Sequence, residues 1–212
     1  LLWMQNVVSQ LNSIGFGADF VNKGTEQEQI RLIKKAIDLG INVFDTAEVY
    51  SEGRSEEILG KAIRGQREKV FISTKFSPHN TNYKSILQSC EMSLKRLKID
   101  YINLYQIHWP FPNSNYEISR AYEKLIDQGK VLKVGVCNYH KKQIVELNSL
   151  LDKKLYSNQI EYNLFDRFAE NKILEYCLEN DMKIFAYSPL NKCRKLLDNV
   201  LVVKFSKKYG KT

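Results

Sequence analysis

The sequence predicts a parallel α/β fold, a TIM-type (β/α)8 barrel with about seven of its strand–helix units present and the eighth strand missing. Three observations predict it. Apolar strand-like runs alternate with amphipathic helical runs along almost the whole chain. The strand runs are short and mostly apolar, as parallel strands buried on both faces are. Polar, titratable residues recur at the ends of successive strands, where a barrel gathers its functional side chains. An open nucleotide-binding sheet is a poorer fit. It needs Gly-x-Gly-x-x-Gly after the first strand, and here Gly15 and Gly17 are followed by Phe20 at the third position.

Ser13–Gly17 reads as the first strand. Thr25 caps a helix to about Leu39, with Ile30, Leu32, Ile33 and Ile37 inward and Gly40 after it. Ile41–Ala47 is the second strand, and a helix follows from about Ser55 to Ile63. Val70–Lys75 is the third strand, followed by a helix over Tyr83–Leu97. Tyr101–His108 is the fourth, and Trp109–Asn115 is a Pro-containing loop before a helix over Tyr116–Gln128. Val131–Asn138 and Lys141–Leu151 form the next strand and helix, then Tyr156–Tyr162 and Glu170–Asn180, and Met182–Ser188 is the seventh strand. Val200–Phe205 is read as helix, because Leu197, Leu201 and Phe205 recur at i, i+4; its β-branched content leaves a stand-in strand as the alternative.

The chain has 212 residues and 43% apolar content, enough for one sizeable core, and the whole of 1–212 is assigned to a single domain. No apolar run is long enough to span a membrane, and Leu1–Val8 is too short and too polar for a secretory signal. Cys90, Cys137, Cys177 and Cys193 form no CxxC pair and suit no metal site, so they read as reduced thiols of a cytoplasmic protein. The net charge of +8 is spread over helix faces without interleaved aromatics, which argues against nucleic acid and for attraction of a small anion.

Asp45 lies near the end of the second strand and Tyr50 just after it, Lys75 ends the third and His108 ends the fourth. Each alone admits a plain role: a helix cap, a core aromatic, a solvated strand end, a satisfied core histidine. Together, at the mouths of three successive strands, they read as a catalytic constellation.

The surrounding words are GINVFDTAEVY (40–50), GRSEEILGKAI (53–63), VFISTK (70–75) and LYQIHWP (104–110), followed by GVCN (135–138), NQIEYN (158–163) and AYSPL (186–190). In this order they resemble the aldo-keto reductases, from about Ser13 to Thr212. The resemblance implies an oxidoreductase in which NADPH gives hydride to an aldehyde or ketone carbonyl and Tyr50 gives the proton. Lys75 would lower the phenol's proton affinity, Asp45 would hold Lys75, and His108 would bond the substrate oxygen beside Trp109. It also implies that Asp45, Cys137, Asn138 and Gln159 face the nicotinamide side. Tyr187 would stack on the ring, the backbone of Ser188 and Leu190 would meet the pyrophosphate, and Gly17 and Ala18 the ribose. Cys137 stands where the family usually has serine, and a thiol is a weaker donor. Cys90, Cys177 and Cys193 are assigned no chemistry.

The resemblance ends with KKYGKT (207–212), short of the family's eighth strand and 2′-phosphate grip, so the chain reads as C-terminally truncated. Two functional expectations of different classes follow. One is an NADPH-dependent carbonyl reductase. The other is a non-catalytic protein of the same fold: a cofactor-sensing or partner-binding subunit, or an inactive truncated product. Substrate, oligomeric state and the choice of NADPH over NADH are not legible in the residues.

Overall fold

A computed structural model describes residues 11–19, 24–190 and 198–210. Leu1–Val8, Phe20, Cys193, Leu197 and the final Lys211 and Thr212, which enter the sequence reading, lie outside the described residues. The elements are β1 (Gly15–Gly17), α1 (Glu26–Asp38), β2 (Val43–Asp45), α2 (Arg54–Ala62), β3 (Phe71–Phe76), α3 (Tyr83–Leu97) and β4 (Ile102–Ile107). They continue with α4 (Asn115–Asp127), β5 (Val131–Cys137), α5 (Lys141–Asn148), β6 (Ser157–Glu161), α6 (Ile173–Glu179), β7 (Lys183–Tyr187) and α7 (Val200–Tyr209).

All seven strands pair in parallel, each with its sequence neighbour, in the order β1 to β7. The sheet curls as an incomplete (β/α)8 barrel, with β1 and β7 as its two edges. Strand alternation divides the side chains. Phe44, Ile72, Tyr105, Val134 and Ile160 pack outward against the helices in the main core. Val43, Phe71 and Leu104 point inward at the strands' N-terminal end, where Leu11, Tyr156 and Phe185 pack on them.

Helix starts follow local chemistry. Thr25 makes a capping box, its hydroxyl accepting from Glu28 N at 3.3 Å while Glu28 accepts from Thr25 N at 2.7 Å. Asn82 caps α3 by accepting from Ser85 N at 3.0 Å. Helices α2 and α3 are locked to β3 by the fully buried Glu56, which accepts from Arg96 Nε and Thr74 Oγ1, both at 2.6 Å. Where these helices cross, Gly60 lies against the Leu97 backbone, so close that a Cβ would collide with the Leu97 carbonyl.

Three expectations differ from the structure. Leu32, expected to face inward on α1, is exposed, because the buried stripe of that helix runs through Gln29, Ile33 and Ala36. The sixth helix begins at Ile173 rather than Glu170, because Phe168–Glu170 is a separate 3-10 turn and Lys172 is left-handed at φ 67°. That turn is tied down by Arg167 Nε and Tyr162 OH, which donate to Glu170 Oε1 at 2.7 and 2.9 Å. Val200–Phe205 is helical as expected, but Leu201 and Phe205 are exposed rather than inward, and no described residue of α7 is buried.

Candidate active site

Every predicted site residue lies at the C-terminal mouth of the sheet. Gly17, Asp45, Cys137 and Tyr187 are the last residues of β1, β2, β5 and β7, Lys75 is the last but one of β3, and Gln159 is the middle residue of β6. His108 and Asn138 follow β4 and β5 directly. The register sets Gly17 beside Asp45 and Cys137 beside Gln159.

Tyr50 is placed by an irregular turn. Tyr50–Gly53 is a 3-10 segment in which Ser51 and Glu52 take φ of 48° and 55° and Gly53 takes 87°. A Cβ on Gly53 would also strike the Arg96 side chain, so glycine is required there twice over. Glu48 latches the preceding loop to the end of β3 by accepting from Ser77 N at 2.6 Å and Asn80 Nδ2 at 3.1 Å. His108 is fixed through its backbone: its N–H donates to Phe76 O at 3.0 Å and its carbonyl accepts from Asn138 Nδ2 at 3.3 Å.

The four residues converge. Lys75 Nζ donates to Asp45 Oδ2 and to the Thr46 carbonyl, both at 2.7 Å. It lies 5.1 Å from the centre of the Tyr50 ring, which packs edge-on against His108 at 5.5 Å between centroids. Below them runs a buried polar network. Ser73 Oγ donates to Asp45 Oδ1 at 2.9 Å, and Gln159 Nε2 donates to Asp45 Oδ2 at 3.1 Å. Gln106 Nε2 donates to both Ser73 Oγ and Gln159 Oε1, at 3.1 and 2.9 Å.

Sequence reasoning missed Ser73, Gln106, Ser157 and the Thr46 carbonyl. A signal for the first three existed: each lies two residues before a residue that was read as functional (Lys75, His108, Gln159), hence on the same strand face.

The electrostatics follow from burial. Burial pulls against the Lys75 ammonium, but the Asp45 carboxylate outweighs it and holds the proton more firmly than in water. For Tyr50 the balance falls the other way. Burial raises its proton affinity, Lys75 opposes this, and the phenol stays above its ordinary value. The expected lowering by Lys75 is therefore present but overridden. Burial, with Lys75 adding to it, depresses His108 to about 4, so its imidazole is neutral near neutral pH. Burial pushes the Cys137 thiol up, and it stays protonated, donating to Gln159 Oε1 at 3.7 Å.

The remaining candidates are less tightly joined. Tyr187 OH donates to Asn138 Oδ1 at 3.0 Å, and Asn138 takes φ 62°. Ser188, at φ 49°, accepts on its carbonyl from Asn163 Nδ2 at 3.2 Å. Leu190 is exposed, and Gly17 and Ala18 meet the site only through backbone, Ala18 N donating to Asp45 O at 2.7 Å. Half-exposed Trp109 lines a cavity of about 320 Å³ with Asn138, Phe168 and Tyr187. Cys90 and Cys177 are free, buried thiols away from these contacts.

Comparisons with known proteins show the family. Residues 13–196 match the Aldo/keto reductase family. Methylglyoxal reductase YeaE of Escherichia coli is 35% identical over 90% of this chain, which spans 68% of its length. Aldo-keto reductase YhdN of Bacillus subtilis is 36% identical over 85% of this chain, which spans 57% of its length. An aldo/keto reductase from Klebsiella pneumoniae, crystallised with NADP and acetate, superposes with a TM-score of 0.88 at 29% identity, over 94% of this chain and 73% of that one. With fold and sequence in accord, the chain belongs to the aldo/keto reductase family.

Proposed function

We propose that the chain is an NADPH-dependent carbonyl reductase that converts aldehydes or ketones to alcohols, with Tyr50 as proton donor. One observation carries it. A buried ammonium, Lys75, is pinned by Asp45 beside a protonated phenol, Tyr50, whose ring packs against the neutral imidazole of His108.

The residues at the mouth fit a nicotinamide. After their observed bonds, Asn138 keeps one amide N–H and an Oδ1 lone pair, and Gln159 keeps one N–H, a set complementary to a carboxamide. Tyr187, half-buried and pinned by its hydroxyl to Asn138, offers a flat face for the ring. Gly17 leaves open space where a side chain would begin, as close approach of a ligand requires. Ser188 and Leu190 follow Tyr187 with backbone suited to a pyrophosphate. When bound, NADPH supplies the hydride that reaches the carbonyl carbon.

The protein's part is the proton and the alignment. His108 donates a hydrogen bond to the carbonyl oxygen and fixes it near the Tyr50 hydroxyl. As negative charge grows on that oxygen, Tyr50 releases its proton to it, completing the alcohol. The phenolate left behind is stabilised by Lys75 and regains a proton from solvent. Asp45 keeps the ammonium in place throughout. Trp109 forms one wall for the substrate.

Titration with NADPH, followed by its fluorescence, and turnover of a generic aldehyde test this. Micromolar binding, with turnover reduced at least ~100-fold in Tyr50→Phe while binding persists, is the expected result. A folded chain that binds no NADPH would instead favour the non-catalytic reading, in which the same site is retained without chemistry.

A further inference from the structure

We propose that Gln106 is a positioning residue, whose amide holds the Asp45 carboxylate, and through it Lys75, in the one orientation the proton transfer uses. The proposal rests on the reductase reading above.

Gln106 is fully buried on β4, facing the barrel interior. Its single amide nitrogen reaches both oxygens of Asp45 by two relays. One runs through Ser73 Oγ, at 3.1 Å from Gln106 and 2.9 Å from Asp45 Oδ1. The other runs through the Gln159 amide, at 2.9 Å from Gln106 and 3.1 Å from Asp45 Oδ2. The sense of every bond is set by the carboxylate. An ionised carboxylate only accepts, so Ser73 and Gln159 donate to it. Their remaining acceptors then face Gln106, which presents its nitrogen. The Gln106 oxygen is left to accept from Ser157 Oγ at 3.1 Å.

The fold reserves space for this arrangement. Gly135 lies opposite Gln106 in the register, and a Cβ there would collide with Ser157 Oγ and come to 3.0 Å from Gln106 Oε1. A carboxylate clamped on both oxygens cannot swing about its own axis, so the ammonium bonded to Oδ2 stays aimed at the space below Tyr50. With Gln106 removed, both relays lose their backing and Asp45 keeps its direct partners in a looser setting.

The test compares Gln106→Met, which keeps length and loses both amide roles, with Ser73→Ala, which cuts one arm. Thermal melts establish that each variant is folded. Kinetics with NADPH and a generic aldehyde give kcat and KM separately, and ¹⁵N NMR measures exchange of the Lys75 ammonium protons with water. Gln106→Met is expected to lower kcat about 10-fold with aldehyde KM within about 2-fold, and to speed Lys75 exchange about 10-fold. Ser73→Ala is expected to change both about 3-fold. A folded Gln106→Met with unchanged kcat and unchanged exchange would overturn the proposal. If the wild-type chain shows no turnover, the reductase reading falls, and exchange alone still judges Gln106: faster supports it, unchanged refutes it. If Gln106→Met does not fold, unchanged Lys75 exchange in Ser73→Ala refutes it and faster exchange supports it.

Discussion

Lys75 and Asp45 share a 2.7 Å ion pair unequally: the lysine side chain is 2% exposed and the aspartate side chain 20%. The ammonium therefore depends on its partner, while the carboxylate also has Ser73, Gln159 and some water. Asp45→Asn should cost stability by about 3–5 kcal/mol, because it strands a buried charge. Lys75→Met should cost less, because the charge left behind keeps its other donors. Urea unfolding of the two variants measures the difference, and equal costs would contradict it.

Acid should weaken the fold through His108. Its folded value is about 4, below the 6.5 of a free imidazole, so between these pH values the unfolded chain binds more protons than the folded one. The contribution is complete above pH 6.5 and is lost as pH falls toward 4. Melting temperature should drop over that window in the wild type and drop less in His108→Gln.

Glu56 and Arg96 form a second charge pair, with the carboxylate fully buried. Arg96→Met takes away the cation and leaves that carboxylate the Thr74 Oγ1 donor, which should destabilise by about 3–5 kcal/mol. Adding Glu56→Gln should recover part of the loss, which a double-mutant cycle in denaturant resolves.

Gly60→Ala should destabilise by about 1–3 kcal/mol, because the new methyl would occupy the space of the Leu97 carbonyl where α2 crosses α3. Ala at Gly65, where nothing lies within 4 Å, meets no such wall, although its φ of 78° still carries backbone strain. A smaller drop in melting temperature than that of Gly60→Ala, or the reverse order, decides whether packing or backbone strain dominates.

Much of this was legible in the residues. Apolar runs closing on Asp45, Lys75 and His108 locate three strand ends because a parallel strand buried on both faces is mostly apolar up to its mouth. Helix α3 could be bounded at Tyr83 and Leu97 because Asn82 is a strong cap and its apolar spacing is regular. The start of α6 could not, since the Tyr162–Glu170 bond and the left-handed Lys172 belong to tertiary contacts rather than local pattern. The proton balance at Tyr50 falls in the opposite direction to the expected lowering. Sequence shows that a lysine is near, but burial against Lys75 is decided only once the ring is enclosed. Gln106 is less legible because it lies one pleat below His108, inside a mostly apolar run.

Because each strand pairs only with its sequence neighbours, protection against hydrogen exchange should be graded across the sheet. Every residue of β3 and β4 is buried, whereas β1 and β7 are largely open to solvent. The amides around Lys75 and His108 then exchange only in rare, near-global openings, while those of Gly17 and Tyr187 exchange through cheap local fraying. The half of the mouth that holds Lys75 and His108 is a rigid keel, and the half that holds Gly17 and Tyr187 its yielding rim. A ligand seated there would slow exchange most at the rim, tightening the two edges it bridges.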